Sequence, residues 1–516
     1  MAVTMMDAVN LRGFSQVVSE AMDAFHSLAL YRYGFKRPEQ DFKRAPILGL
    51  PVELIREILK ASLEPTEEEE DYRPCHYPIV SEGCRRSPIE LSHVCRLWRN
   101  IVNNAPELWS QITFIHPSYR QLEPTAHWLA RLKDHNPLTI YLYQFGDDSG
   151  YENDDSLGPL LNLLMTKAHH WHVIDFRLNG SVNPDVMESL SRIQNVSSST
   201  LVDARISVNP DNATGSSGIL PIFKAWDAFR KVSSLSSFRW RAPFTPGTVY
   251  SSKIRVLEIN SPISVEVLLE NLQSCPLLEL LNVDKVELAS DSIIVDPQHR
   301  DMPVDPPALV VLPHLIHLHI SAKVSLYDIF TRLHAPSLHI LQIAGLDVRE
   351  RKHLLNFLRK NDHPLSNLGL QFVSRGNPGQ DTHLSANETK DYLQALYDYL
   401  QLVRSLHIIG ATFDLKCIEV FQRPMTAALE CEDFFPHLEN LGLSKIDAAV
   451  DEGVLLRMLS SRYWDFSSRT KRKVALLQEA KIHVDELTDE TEKYVNMIAR
   501  CGYSDGIARS LNLYVS

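Results

Sequence analysis

Several groups of side chains have the types and spacing from which chemistry could be built. His169, His170 and His172 flank Trp171, and His314, His317 and His319 alternate along an extended stretch; both sets could offer imidazoles to a metal. No cysteine or carboxylate is placed beside either set to complete a site, so they read as partly exposed structural histidines. Asp147, Asp148, Glu152, Asp154 and Asp155 crowd carboxylates together but lack the Asp-x-Asp-x-Asp-Gly order and closing glutamate of a calcium loop. The cysteines (Cys75, Cys84, Cys95, Cys275, Cys417, Cys431 and Cys501) are odd in number, scattered and without a CxxC pair. That excludes a zinc ribbon or disulfide scaffold and leaves reduced, mostly buried thiols. The chain has no phosphate-cradling Gly-x-x-x-x-Gly-Lys-Ser/Thr, no Gly-x-Ser-x-Gly elbow, no His-Glu-x-x-His and no Rossmann glycine run. The expectation is a non-catalytic protein with no metal and no cofactor, whose work is binding.

Composition narrows the partner. The chain has 516 residues and a formal charge of −12, from 52 basic against 64 acidic side chains. An acidic balance argues against nucleic acid or an anionic membrane as the main partner. With 44% hydrophobic and 22% charged residues, wholesale disorder is excluded. No apolar run reaches the roughly 20 residues that span a bilayer. The first ten residues are mixed and broken by Asp7, with no signal-peptide pattern, so a cytoplasmic or nuclear location is expected. Asn195-Val-Ser and Asn387-Glu-Thr match glycosylation acceptors without an accompanying signal, and Lys471-Arg472-Lys473 reads as a helix-end basic cluster. The acidic run Glu64–Asp71 reads as a solvated loop.

The large-scale signal is a repeat of the form apolar-x-x-apolar-x-apolar. Clear copies begin at Ile254, Leu278, Leu315, Leu338, Leu365, Val403 and Leu438, and weaker ones at Val173, Leu235 and Leu138. The fourth and sixth positions lie two apart, on one face of an extended chain. Between copies the spacing is helical, as in Val265, Leu268, Leu269 and Leu272, or Leu354, Leu355 and Leu358. Proline precedes several strands, at Pro276, Pro313, Pro336 and Pro436, where it cannot continue a helix. Strand then helix, many times over, predicts an irregular leucine-rich-repeat solenoid across 120–460. The asparagine usual after the strand is replaced by Val286, Leu346, Val373 and Ile446.

Around the repeat lie three smaller segments. Residues 1–45 hold one amphipathic helical stripe, Phe14 to Leu28, and a linker at Lys36-Arg37-Pro38. Residues 467–516 read as a helical tail, with a stripe at Val474, Leu477, Ala480 and Val484 and a second stretch at Val495 to Ala499. Residues 46–115 form a compact module split by a polar insertion at 62–87. Pro51 suits the first turn of a helix and Glu53 its dipole, with Leu54, Ile55, Ile58 and Leu59 as the apolar stripe. A second helix carries Leu91, Val94, Cys95, Trp98 and Ile101, followed by Pro106-Glu107-Leu108-Trp109 and a strand.

Leu50-Pro51-x-Glu53-Leu54-Ile55-x-x-Ile58-Leu59, then Leu91-x-x-Val94-Cys95-x-x-Trp98-Arg99 and Leu108-Trp109, resembles an F-box. It is similar in particular to the F-box-like proteins abundant in mushroom-forming fungi, which also carry Pro-Glu-Leu-Trp and an irregular leucine-rich region. The resemblance implies an α/β chain with a small helical F-box-like module followed by an irregular leucine-rich-repeat solenoid. It also implies docking onto the Skp-type adaptor of a cullin-RING ubiquitin ligase, through Leu50, Pro51, Leu54, Ile55, Ile58, Leu59, Leu91, Val94 and Trp98. A helical module this small has little core of its own, and a stripe completed by a partner is a physically reasonable solution. The expected role is a substrate receptor that holds an unknown protein substrate on the strand face, at outward residues such as Glu258, His319, Gln342 and His407. The alternative is a repeat scaffold, adaptor-bound or free, without a degradation role.

Overall fold

The computed structural model describes residues 50–63, 87–115, 117–133, 136–144, 156–178, 184–195, 200–208, 216–243, 247–249, 251–288, 309–361, 365–373, 384–422, 435–446, 450, 452–463, 477–484, 493 and 510–515. The stripe at Phe14–Leu28, the linker at 36–38, the acidic run 64–71, the carboxylates at 147–155, the basic triplet 471–473 and the stretch 495–499 lie outside them. No helix among the described residues is long and apolar enough to cross a membrane. The fold is mixed α/β and dominated by parallel sheet, and it divides into two compact units, Met1–Leu201 and Val202–Ser516.

The first unit opens with three short helices: α1 (Val52–Ala61), α2 (Pro88–Val94) and α3 (Arg96–Asn104). A 3-10 turn at Pro106–Trp109 leads into β1 (Gln111–Ile115); α4 (Leu122–Leu129), β2 (Leu138–Gln144), α5 (Leu157–Met165), β3 (Trp171–Leu178) and α6 (Pro184–Ser191) follow. The three strands pair in parallel, β1 with β2 and β2 with β3. Their covered rows are Ile112–Ile140–Ile174 and Phe114–Leu142–Phe176, all fully buried. This corrects the weak copy at Leu138, where the row uses Ile140 and Leu142 and the pattern pointed to Tyr141 and Tyr143; in the copy at Val173, Phe176 and Leu178 are both buried on one face, together with Ile174. In β2, Ile140, Tyr141, Leu142 and Tyr143 are all apolar or aromatic, so the letters leave its register open, and pairing to the neighbours decides it.

The single second helix of the module is also corrected. Cys95 is extended (φ −156°, ψ 172°) and breaks the segment into α2 and α3. Its Sγ accepts from the Trp98 N–H at 3.4 Å, so it caps α3 by taking an otherwise unpaired amide. Ser87 caps α2 with Pro88 in its first turn.

The second unit is a parallel sheet taken in chain order: β4 (Asp203–Val208), β5 (Ser237–Arg241), β6 (Val256–Ile259), β7 (Leu280–Val286), β9 (His317–Ala322), β11 (Ile340–Asp347), β12 (Asn367–Val373), β13 (Ser405–Ile409), β14 (Asn440–Ile446), β15 (Glu479–Val484) and β16 (Ser510–Val515). The two-residue strands β8 (Val310–Val311) and β10 (Leu333–His334) pair separately. Seven clear repeat copies are seven of these strands, and their fourth and sixth positions stand in register, from Leu257–Leu281–Leu318 to Leu406–Leu441 and from Ile259–Val283–Ile320 to Ile408–Leu443. The expected helical tail is corrected by β15 and β16: Leu477-x-x-Ala480-x-Ile482 is a further copy, and Ala480 and Ile482 pair with Leu441 and Leu443. Apolar residues three apart satisfy a helix and this strand motif alike, which is why Leu477 and Ala480 misled.

The turn before each strand follows from its proline. Leu278, Leu315, Leu338 and Leu438 donate their amides to Cys275, Leu312, Ala335 and Phe435 at 3.1–3.4 Å, closing turns with Pro276, Pro313, Pro336 and Pro436 at the second position, where a fixed φ is favourable. From each turn a backbone bond reaches the neighbouring repeat: Glu279 donates to Arg255, Ile316 to Glu279, His339 to Ile316, Ser366 to His339 and Arg404 to Ser366.

Helices fill the returns: α7 (Ser216–Phe229), α8 (Val265–Ser274), α9 (Tyr327–Arg332), α10 (Arg351–Asn361), α11 (Ala386–Ala395), α12 (Tyr397–Leu400), α13 (Leu415–Phe421) and α14 (Glu452–Tyr463). Buried Asn271 of α8 and Asn361 of α10 perform the same task. Each donates to the carbonyl four residues earlier, Val267 or Phe357, and accepts from the backbone amide of Val249 or Ala335 ahead of its own repeat's strand, at 2.6–2.7 Å. Along β4, β5, β6, β9, β12 and β13 every second residue is buried while its neighbours are half-buried or exposed. Parallel sheets with helices on both faces read as continuously buried runs instead. Sequential strand order with right-handed crossovers accounts for the difference, because it sends every helix to the same side.

Where β11 ends, Gly345 has φ +80° and a Cβ there would run into the carbonyl of Ala322 on the next strand. Gly345→Ala should therefore destabilise the second unit by about 1–3 kcal/mol, read as a lower denaturant midpoint of the full chain.

Candidate functional site

The sequence-selected residues of the helical module divide into two sets. Ile55, Ile58, Leu59 and Leu91 are buried by the chain itself. Pro51 and Leu54 are exposed, while Leu50, Val94 and Trp98 are half-buried. Leu54 keeps 48% of its surface in water and Val52, beside it, 43%. Leu54 thus does not join the packed face with Ile55, Ile58 and Leu59, although it shares their apolar character. Val52 was missed by the sequence reading, which treated it as a filler between Pro51 and Glu53; an apolar residue at the first helical position was the available signal. The result is one sealed side of α1 and an apolar lip, Pro51-Val52-x-Leu54, at its open N-terminal end.

α1 starts cleanly because Pro51 needs no amide partner and its carbonyl accepts from Ile55 at 3.1 Å. Glu53 lies in its first turn and Lys60 in its last, both favourable to the helix dipole. Glu107 of the Pro-Glu-Leu-Trp turn pairs with Arg56 of α1 at 3.3 Å, both about two-fifths exposed, a pair worth at most about 1 kcal/mol in this setting.

The buried indoles do more. Trp109 donates from Nε1 to the Val102 carbonyl at the end of α3 (2.9 Å), and its own carbonyl accepts from Trp128 Nε1 of α4 (2.7 Å). The rings meet edge to face at 5.1 Å, and Arg131 lies over Trp109 at 4.7 Å. Trp109 therefore ties α3 to α4 within the same unit. Its place in the motif was legible, but its two-way latch was not, since the partner Trp128 lies far along the chain.

The other candidate chemistry does not assemble. His170 is buried with Nδ1 3.0 Å from the Asn136 carbonyl, and His172 has Nδ1 3.2 Å from the Thr200 carbonyl. Among the described residues no three His, Cys, Asp or Glu side chains converge as metal ligands. Burial pushes the thiols of Cys275 and Cys417 up to about 12, which makes thiolate chemistry at either unfavourable at neutral pH.

The outward residues guessed from sequence do come together. On the open sheet face, register sets Glu258, Asn282, His319, Gln342, Gly369 and His407 side by side on successive strands. Burial holds the imidazoles of His317 and His407 below the ordinary value of 6.5, reinforced by His319 and Lys481 respectively and opposed by Glu258 and Glu479.

A scan against protein-family models finds no match for this chain, and a search of curated proteins finds none significantly similar.

Two predictions follow from this geometry. Trp109→Phe keeps an aromatic ring but removes the indole bond to the Val102 carbonyl, which still accepts from the Ala105 amide, and should cost about 1 kcal/mol in chemical denaturation. Histidines whose folded values lie below 6.5 bind fewer protons folded than unfolded, so their penalty is absent above that value and grows as pH falls through it. The loss of stability between pH 7.5 and pH 5 should be smaller in His317→Gln/His407→Gln than in the unaltered chain.

Proposed function

We propose that this chain is the substrate-receptor subunit of an SCF-type ubiquitin ligase, binding a Skp-type adaptor through its F-box-like module and a protein substrate through leucine-rich-repeat-like units. The observation that carries the reading is the lip: apolar Pro51, Val52 and Leu54 face water around the first turn of a helix whose Ile55, Ile58 and Leu59 are buried. An apolar edge of this kind is what a partner's groove completes. In this reading Leu50, Pro51 and Leu54 make the contact, Val94 and Trp98 border it, and Ile55, Ile58, Leu59 and Leu91 support it from beneath.

The repeat half is supported by strands taken in chain order, one covered face and the turn-and-ladder pattern before each strand. The receptor's part is positional. Adaptor at one site and substrate at the other raise the effective concentration of substrate lysines near the charged conjugating enzyme, and bond making belongs to other subunits.

Capture of purified Skp-type adaptor by the full-length chain tests this. Leu54→Asp, which puts charge on an exposed position without touching the core, should reduce capture at least about tenfold, and Leu50→Ala/Pro51→Ala should weaken it. Equal capture by unaltered and Leu54→Asp chains, or none by either, would remove the reading; capture with no change in any protein's abundance when the chain is deleted would favour the scaffold role.

A further inference from the structure

One exposed face among the return helices of the second unit is basic, although the chain as a whole carries a formal charge of −12. Between Arg349 and Lys360 there are five basic side chains and one acidic. Leu354, Phe357 and Leu358 bury one side of α10. On the other side Arg349, in the 3-10 turn Val348–Glu350 just ahead of the helix, is exposed, as are Lys352, Asn356, Arg359 and Lys360. Spacings of three and four set Arg349, Lys352, Asn356 and Arg359 in one line. Arg351 spends its charge on Glu388 of α11 at 3.8 Å, and Lys360 donates to the carbonyls of Thr331 and Leu333 at 3.2 and 3.5 Å. Arg349, Lys352 and Arg359 join no ion pair among the described residues.

The neighbouring acids do not cancel these three. Glu350 is buried and accepts from the amides of Leu326 (2.8 Å) and Asp347 (3.3 Å), while Asp347 accepts from the Arg349 amide (2.8 Å). Glu388 is shared between Arg351 and Ser385. Asp328 of α9 and Asp391 of α11 are exposed, each on a helix with a cation of its own, Arg332 and Lys390. Asp362, next in the chain after α10, lies outside the described residues. Nor does helix stability account for the line. Arg359 and Lys360 suit the negative end of the α10 dipole, but Arg349 and Lys352 stand at the positive end, where a cation is unfavourable.

We propose that the Arg349–Lys352–Arg359 line is a docking surface for an acidic segment of a protein partner. The inference goes beyond the receptor reading and stands without it. The line runs about 15 Å, which about five residues of an extended segment would follow. Tyr327 of α9, 47% exposed and edge-on to His353 at 4.6 Å, adds an aromatic ring beside it. Charge decides the kind of partner. A duplex or a bilayer presents many fixed anions to the whole molecule, whose net charge repels it, and three free cations are few against that. A short acidic stretch meets the line alone, with the rest of the chain screened beyond about 8 Å at physiological salt.

The test titrates the full-length chain into a labelled peptide of aspartate and glutamate about eight residues long, and into its asparagine and glutamine counterpart. The acidic peptide should be retained and the neutral one not. Arg349→Ser/Lys352→Ser/Arg359→Ser should weaken retention at least about fivefold, the loss of three exposed ion pairs. Asn356→Arg, which adds a cation to the line, should strengthen it about twofold. Lys224→Ser/Lys253→Ser/Lys416→Ser removes the same charge from exposed positions elsewhere on the second unit and should leave retention unchanged. An unaltered denaturant midpoint shows that each variant is folded. Equal weakening by both triple variants, no retention of the acidic peptide, or tighter binding of a single-stranded oligonucleotide or of phosphatidylserine vesicles would overturn the proposal. Adaptor capture is measured separately, and its failure would strike the receptor reading while leaving this surface standing.

Discussion

No strand–helix unit of this chain can bury its own apolar row, and the rest of the structure depends on that constraint. Leu318 and Ile320 are sealed only because Leu281 and Val283 stand on one side and Leu341 and Ile343 on the other, with helices above. Each repeat is therefore both a customer and a supplier of its neighbours, and stability is shared along the stack. The proline turns matter for the same reason: they bring every strand in at the height that lets its leucine meet the next one, and the backbone ladder from Arg255 to Arg404 holds that height.

The covered and open faces then diverge in chemistry. The covered row is leucine, isoleucine, valine and large aromatics such as Trp240 and Phe238, which pack against Trp226 of α7. The open side is free of that demand and holds charged pairs, amides and imidazoles.

Much of this was readable in the residues, and the failures have physical causes. Seven strands and their register follow from a motif whose fourth and sixth positions must share a face, and Leu257 through Leu443 obey it. The tail failed because a spacing of three suits helix and motif equally, so Leu477 and Ala480 could not arbitrate. The second module helix failed because Cys95 is a plausible helical residue that here acts as a cap. Leu50 and Pro51 were legible as the entry to the helix, while Leu54 read as one stripe with Ile55, Ile58 and Leu59. That Ile55, Ile58 and Leu59 would be consumed internally, and that Val52 would be left outside, depends on how α1 settles on α3, which no local pattern specifies.

The two indole bonds of Trp109 carry a mechanical implication. Because its side chain grips the end of α3 and its backbone is gripped from α4, α3 cannot swivel freely about the Pro-Glu-Leu-Trp turn. α3 thereby keeps its bearing relative to α4, much as a bracket bolted at two points transmits torque where one bolt would let it spin.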